Sequence, residues 1–134
     1  MKKIIVMFAV ILSLTLVANA QDTMGAKKKA AKPKKMTLTG NLIDKMCSAK
    51  NNTAETAMEH KKGCSLSERC ANSGFGVFAE GKYYEFDEAG NGLAKSSLEK
   101  SAAEKGAMFK VTGMVAENKM TVTKISEVVA KKKS

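Results

Sequence analysis

The sequence predicts a small, mainly β domain with inserted helices, of the α+β class. Three observations predict it. Polar and apolar residues alternate with a period of two over several short stretches, which is typical of half-buried strands. Two of the gaps between these stretches are as short as hairpin turns. A longer gap carries apolar residues at helical spacing.

Five stretches carry this alternation, and short turns join the last four into two hairpins. In the first stretch, small and apolar residues alternate with Thr and Asn from Met36 onward. Glu80-Gly81 separates the second stretch from the third, and Glu117-Asn118 separates the fourth from the fifth. The predicted strands cover 36–44, 76–79, 82–86, 109–115 and 120–125.

One amphipathic helix is predicted between the third and fourth strands, over residues 92–105. Leu93, Ser97, Leu98 and Ala102 recur there at helical spacing, and Gly106 is the predicted stop signal. A second helical stretch is predicted over 53–71, broken near Gly63.

The start signals of this second helical stretch lie at two hydroxyl residues. Thr53 is its predicted N-cap, and Ser65 is predicted to cap a following turn. Five short strands with an inserted helix favour a small, partly open, five-stranded barrel of the OB (oligonucleotide/oligosaccharide-binding) type. The alternative is an open antiparallel sheet with both helices on one face.

The first twenty residues have the three parts of a secretory signal: Lys2 and Lys3, an apolar run over 4–17, and small residues Ala18 and Ala20 at an A-x-A cleavage site. We expect cleavage after Ala20, which leaves 114 residues and no transmembrane segment. The predicted destination is the periplasm or the extracellular medium. A chain of this length builds one core, so a single domain is predicted over 36–128.

Lysines at the ends of the chain account for its formal net charge of +10. Residues 36–130 contain twelve Lys or Arg and twelve Asp or Glu. Residues 21–35 are predicted to be a disordered Lys-rich arm, and residues 129–134 a basic tail. Contact of these lysines with an anionic surface is one hypothesis for partners. Nucleic acid is not expected, because no aromatic stacking ladder accompanies the lysines.

Soft metal ligands fall within one short segment of the sequence. Cys47, His60, Cys64 and Cys70 have the spacing C-x12-H-x3-C-x5-C, and they are all the Cys and His residues of the chain. Three thiolates and one imidazole form a complete tetrahedral set for zinc and also suit copper(I). If 60–64 is helical, His60 and Cys64 lie one turn apart on the same face.

A disulfide is the competing interpretation of these cysteines. Thiols of an exported protein meet an oxidising compartment, where two of the three are expected to pair and one is left over. The sequence does not decide which two. Asp44 lies close to the cluster as well, and a role as a strand-end cap is favoured over a role as a ligand.

The same residues resemble a group of small secreted bacterial proteins of uncharacterised function. The shared pattern is an opening G-x-x-x-D-x-x-C (residues 40–47), then H-x3-C-x5-C, a small-residue turn at 73–77 and a V-x-G hairpin at 111–113. The resemblance covers residues 38–126 and implies an OB-like domain in which the Cys/His cluster is part of the design.

Two functions are therefore expected as alternatives. One is an exported binding module that holds zinc or copper through the cluster. The other is a disulfide-stapled structural or interaction domain without metal, whose ligand or protein partner is not specified. The sequence favours no enzyme class, because the G-x-S-x-G, H-E-x-x-H and phosphate-loop motifs are absent and one His cannot be both a metal ligand and a general base.

Overall fold

A computed structural model describes residues 31–129. The predicted signal 1–20, most of the predicted arm and most of the basic tail lie outside the described residues. The described chain contains five strands and five helices. The strands are β1 (Lys34–Asp44), β2 (Phe75–Ala79), β3 (Lys82–Phe86), β4 (Met108–Ala116) and β5 (Lys119–Val128). The helices are α1 (Lys45–Ser48), α2 (Ala54–Glu59), α3 (Lys62–Ser65), α4 (Glu68–Asn72) and α5 (Glu88–Lys100).

The five strands form one mixed sheet, hydrogen-bonded in the order β1-β2-β3-β5-β4, and β4 returns to pair with β1. All neighbours are antiparallel except β3 and β5, which run parallel. The long β1 serves two partners, because its first part pairs with β4 and its end pairs with β2. The α+β class and the five predicted strands are confirmed. The parallel pair makes the sheet mixed rather than purely antiparallel.

The first strand begins earlier than predicted. Lys34 and Lys35 were assigned to the disordered arm, but they belong to β1 and pair with Val115 and Met114. They join the strand because Val115 and Met114 of β4 lie opposite them. The boundary between arm and domain therefore lies before Lys34.

The main helix, α5, begins four residues before the predicted start and ends at Lys100. Asp87 is its N-cap, with a side-chain oxygen that accepts from the Gly90 amide at 3.0 Å. The predicted stop signal, Gly106, lies beyond the helix in a left-handed conformation with φ +70°. This helix packs mainly against β5 and β2.

The second predicted helical stretch is three short helices, α2, α3 and α4, and α1 precedes them unpredicted. The predicted N-cap at Thr53 is confirmed, and Thr53 and Thr56 together form a capping box. Between α2 and α3 the backbone of His60 and Lys61 is extended, so these two residues interrupt the predicted helical stretch. No helix of residues 31–129 is long and apolar enough to cross a bilayer.

The inside of the strand ring contains the core. Inward positions of all five strands meet α5 there, and most of the aromatic side chains of the described chain are buried among them. A smaller second cluster of Ile43, Ala57 and Phe78 joins the end of β1 to α2. The short helices α1 to α4 thus lie close to the carboxyl end of β1.

Candidate metal centre

Asp44 is the last residue of β1 and is fully buried. Its Oδ1 atom accepts a hydrogen bond from the Cys47 amide at 2.9 Å, which makes Asp44 the N-cap of α1. This confirms the predicted cap. The cap uses only one of the two carboxylate oxygens, so Oδ2 is left to face the helices that fold back over the strand end.

The second carboxylate oxygen meets a histidine and a serine. The Nε2 atom of His60 lies 3.0 Å from Asp44 Oδ2 and 2.9 Å from Ser65 Oγ. The Ser65 hydroxyl donates to the same Oδ2 at 3.3 Å. A carboxylate only accepts, so Nε2–H donates to it, and both side chains are held in place by Asp44.

The role of Ser65 was missed from the sequence. It was predicted to cap a turn, but the N-cap position of α4 is Ser67, and Ser65 is fully buried against Asp44 and His60. A serine one residue after a candidate ligand gave no local signal for this role. Its position depends on how α3 folds back onto the end of β1.

The three thiols meet next to this buried group. Sγ of Cys47 and Sγ of Cys64 are 3.9 Å apart. Ligand atoms of Cys47, His60 and Cys64 all lie within 4.8 Å of one another, and so do those of Asp44, Cys47 and Cys70. Cys47 is common to both groups. The structure therefore brings the four predicted ligands together, with Cys70 joined to the others through Cys47.

Access to the cluster is graded. Cys70 is buried, Cys47 is half-buried and Cys64 is exposed. The His60 side chain is 9% exposed. Solvent therefore reaches the cluster at Cys64, whereas the buried Asp44 borders it on the side of the protein interior.

The local backbone differs from the predicted one. The sequence places His60 and Cys64 one turn apart only if residues 60–64 are helical, and this condition is not met. His60 has φ −66° and ψ 127°, an extended conformation, and α3 begins only at Lys62. The two side chains meet because the chain bends between them.

Burial raises the pKa of the Cys47 thiol to about 12, and the negative charge of Asp44 adds to this effect. Burial also raises the pKa of the Cys64 thiol, partly offset by a hydrogen bond with Cys47. Both thiols are therefore protonated near neutral pH unless a cation replaces the protons. Neither has the lowered pKa of an activated nucleophile.

The serine, histidine and aspartate are not arranged for proton relay to a nucleophile. In a Ser-His-Asp triad the serine and the aspartate contact different ring nitrogens, whereas here both contact Nε2. Ser65 is also fully buried, where no substrate could reach its hydroxyl. This group instead positions the imidazole ring.

Comparisons of the chain with protein-family models, with curated proteins and with solved structures found no match. The geometry of the Cys/His cluster therefore carries the assignment of function.

Proposed function

We propose that this chain is a small binding module that holds one soft metal ion, zinc or copper(I), through Cys47, His60, Cys64 and Cys70. The carrying observation is the separation of 3.9 Å between the Cys47 and Cys64 sulfurs. Two thiolates at about 2.3 Å from a tetrahedral zinc ion lie roughly 3.8 Å from each other. A disulfide would require about 2.05 Å.

The surroundings of His60 support the same proposal. Histidine ligands of metals commonly donate their second ring N–H to a carboxylate, which fixes the tautomer and the ring orientation. Asp44 and Ser65 occupy Nε2 in this way. The nitrogen that remains for an ion is Nδ1. Asp44 would thus act as the orienting carboxylate and not as a ligand, in agreement with its role as a cap.

The wider setting of the module is part of the proposal. The N-terminal segment is proposed to export the chain to the periplasm or medium, and the ring of strands is proposed to be an OB-like, partly open barrel. The placement of α5 between β3 and β4 and the parallel β3–β5 pair support that fold. The cluster is proposed to lie outside the ring, at the end of β1, rather than inside the barrel.

A disulfide staple is the second candidate function. A small rotation of the side chains could bring Sγ of Cys47 and Cys64 from 3.9 Å to bonding distance, and the exposure of Cys64 would allow an oxidant to reach it. Cys70 would then be the thiol left over. Such a bridge closes a loop of about seventeen residues and would stabilise the domain by roughly 3 kcal/mol.

Mass spectrometry of the protein, purified after export by the cells that express it, distinguishes the two candidate functions. A native mass that includes one zinc or copper ion, together with three alkylatable thiols after denaturation without reductant, supports the metal module. A metal-free mass that is lower than that of the fully reduced chain by two hydrogen atoms supports the disulfide.

Two variants make the assignment specific. Cys64→Ser is expected to abolish stoichiometric uptake of added zinc and copper(I). Ser48→Ala, in the same helix as Cys47 but with a hydroxyl bound only to the Lys45 carbonyl oxygen, is the matched control and should retain full uptake. Equal uptake by the two variants would refute the proposed ligand set.

A further inference from the structure

Strands β1, β4 and β5 present one continuous outward face. Antiparallel partners point to the same side of a sheet, so the register assigns each position. Val111 pairs with Leu38 and Phe109 with Gly40, and these positions face the core. The alternate rows face outward. They contain Lys35, Thr37, Thr39, Met108, Lys110, Thr112, Met114, Ala116, Lys119, Thr121, Lys124, Ser126 and Val128.

These outward rows carry lysines and no carboxylate. Lys35, Lys110 and Lys124 are exposed, and none has a carboxylate within ion-pair distance among residues 31–129. Glu127, the one acidic residue of β5, pairs with the inward Phe109 and accepts from the buried Ser101 hydroxyl at 2.6 Å. The positive charge of this face is therefore uncompensated.

Other lysines of the domain behave differently. Lys45 pairs with Glu85 at 2.7 Å and Lys62 with Glu104 at 3.1 Å. Lys119 pairs with Glu85 at the border with β3, so we do not count it among the uncompensated lysines of this face. The residues 36–130 have no net charge as a whole, yet charge of one sign gathers on this side.

The shape and the apolar residues of the face narrow the choice of partner. The face is the outside of a ring of strands, and a cavity lined by Thr39 and Met108 lies at its border with α2, away from Lys35 and Lys124. None of its outward positions is aromatic, so it has no platform for stacking bases. Met114 is 38% exposed and Val128 is 41% exposed on the same side as the lysines. Lysines beside exposed apolar side chains suit a flat anionic surface with an apolar interior.

We propose that the outward face of β1, β4 and β5, which we call the basic face, docks on an anionic lipid bilayer. Its two ends are where the Lys-rich terminal sequences begin. β1 starts with Lys34, which pairs with Val115, and β5 ends with Val128, which pairs with Met108 at the opposite end of the face. Lys27–Lys29 and Lys32 precede that start, and residues 131–133 follow that end. In the sequence, further lysines thus precede the first strand of this face and follow its last strand.

Vesicle flotation of the exported and processed chain tests this proposal. The probes are vesicles of phosphatidylcholine alone and of phosphatidylcholine with 30% phosphatidylglycerol, a composition chosen as roughly that of a moderately anionic leaflet. We expect binding to the anionic vesicles only, weakened as salt screens the charges. One lysine near such a surface contributes about a fivefold gain in affinity, so K35Q/K110Q/K124Q should lose about 100-fold.

The matched control is K82Q/K95Q/K100Q, which removes three exposed lysines from β3 and α5 and changes the net charge equally. It should bind within about twofold of the parent chain at the same ionic strength. Equal loss in both triple variants would show that net charge alone drives binding and would overturn the proposed face. Tighter binding to heparin or duplex DNA than to the anionic vesicles would overturn the bilayer as the partner. Unchanged thermal melts confirm that the variants fold.

Discussion

Replacing Asp44 with asparagine would separate its role in the fold from its role beside the proposed metal. The asparagine Oδ1 can still accept from the Cys47 amide, so the cap of α1 is retained. The amide Nδ2, however, would take the place of Oδ2 and would donate where the carboxylate accepts. His60 Nε2 must then become an acceptor, which moves the imidazole proton to Nδ1. A protonated Nδ1 cannot bind a metal ion.

The magnitudes follow from these contacts. The variant exchanges charge-assisted bonds for neutral ones, at a cost of about 1 to 3 kcal/mol in the free energy of unfolding. For a domain of this size that lowers Tm by roughly 5 to 20 °C. Loss of an orienting carboxylate typically weakens metal affinity by about 10- to 100-fold. Asp44→Ala would remove the shared acceptor of the Cys47 amide, His60 Nε2–H and the Ser65 hydroxyl, and should cost about 3 to 5 kcal/mol.

The assay is a competition titration of zinc against a chromophoric chelator, combined with thermal melts in EDTA. Asp87→Asn is the matched control, because Asp87 is also an N-cap carboxylate and accepts from the Gly90 and Val122 amides, with no histidine beside it. We expect the control to lose stability without losing zinc affinity. An Asp44→Asn variant that binds zinc as tightly as the parent would refute the proposed orientation of His60.

Four further predictions follow: two concern pH, one a turn and one a close approach. The pKa of Cys47 is raised to about 12 and that of Cys64 is also raised, so a metal ion must displace thiol protons when it binds. The logarithm of the metal affinity should therefore rise by about two to three per pH unit between pH 6 and 8, as measured by calorimetry in buffers of different ionisation enthalpy. A metal affinity that does not depend on pH would contradict thiolate ligation. In the metal-free, reduced chain, the raised pKa of Cys47 means that the folded state favours the neutral thiol. The free energy of unfolding should therefore fall as pH rises from 9.0 towards about 12. Urea melts that give the same free energy of unfolding across this pH range would contradict this prediction. Glu80 has φ 53° and precedes a glycine, so Glu80→Asn should raise the unfolding free energy by about 0.5 to 1 kcal/mol in urea melts; a loss would contradict a left-handed turn. A Cβ on Gly40 would overlap the Phe78 carbonyl oxygen, so Gly40→Ala should cost about 2 to 3 kcal/mol, and a neutral result would place the β1–β2 contact elsewhere.

The strands could be predicted from the sequence because the alternation of polar and apolar residues indicates which positions are buried. β4, for example, alternates buried and exposed residues along its whole length. The start of β1 could not be predicted, because Lys34 and Lys35 show no alternation of polar and apolar residues and their strand conformation depends on pairing with β4, which is distant in the sequence. The beginning of α5 did have a local signal, Asp87 followed by Glu88, but the glycines after it favoured a turn.

The candidate site was predictable in its ligand types and not in its geometry. Cys47, His60, Cys64 and Cys70 are all the Cys and His residues of the chain, so composition and spacing singled them out. The contacts of Asp44 with His60 and Ser65 depend on an extended residue between two short helices. That bend results from packing against the end of β1, which no periodicity encodes.

The double use of β1 has a consequence for the order of assembly during synthesis. Its end pairs with β2, the next strand to emerge, whereas its beginning needs β4, as the Thr37–Thr112 pair shows. Every residue of the Cys/His cluster lies before β2, so the segment that gathers around Asp44 is complete while half of β1 still lacks a neighbour. Pairings so distant in sequence form slowly. An ion held at the proposed site would therefore order this segment before the remaining strands close.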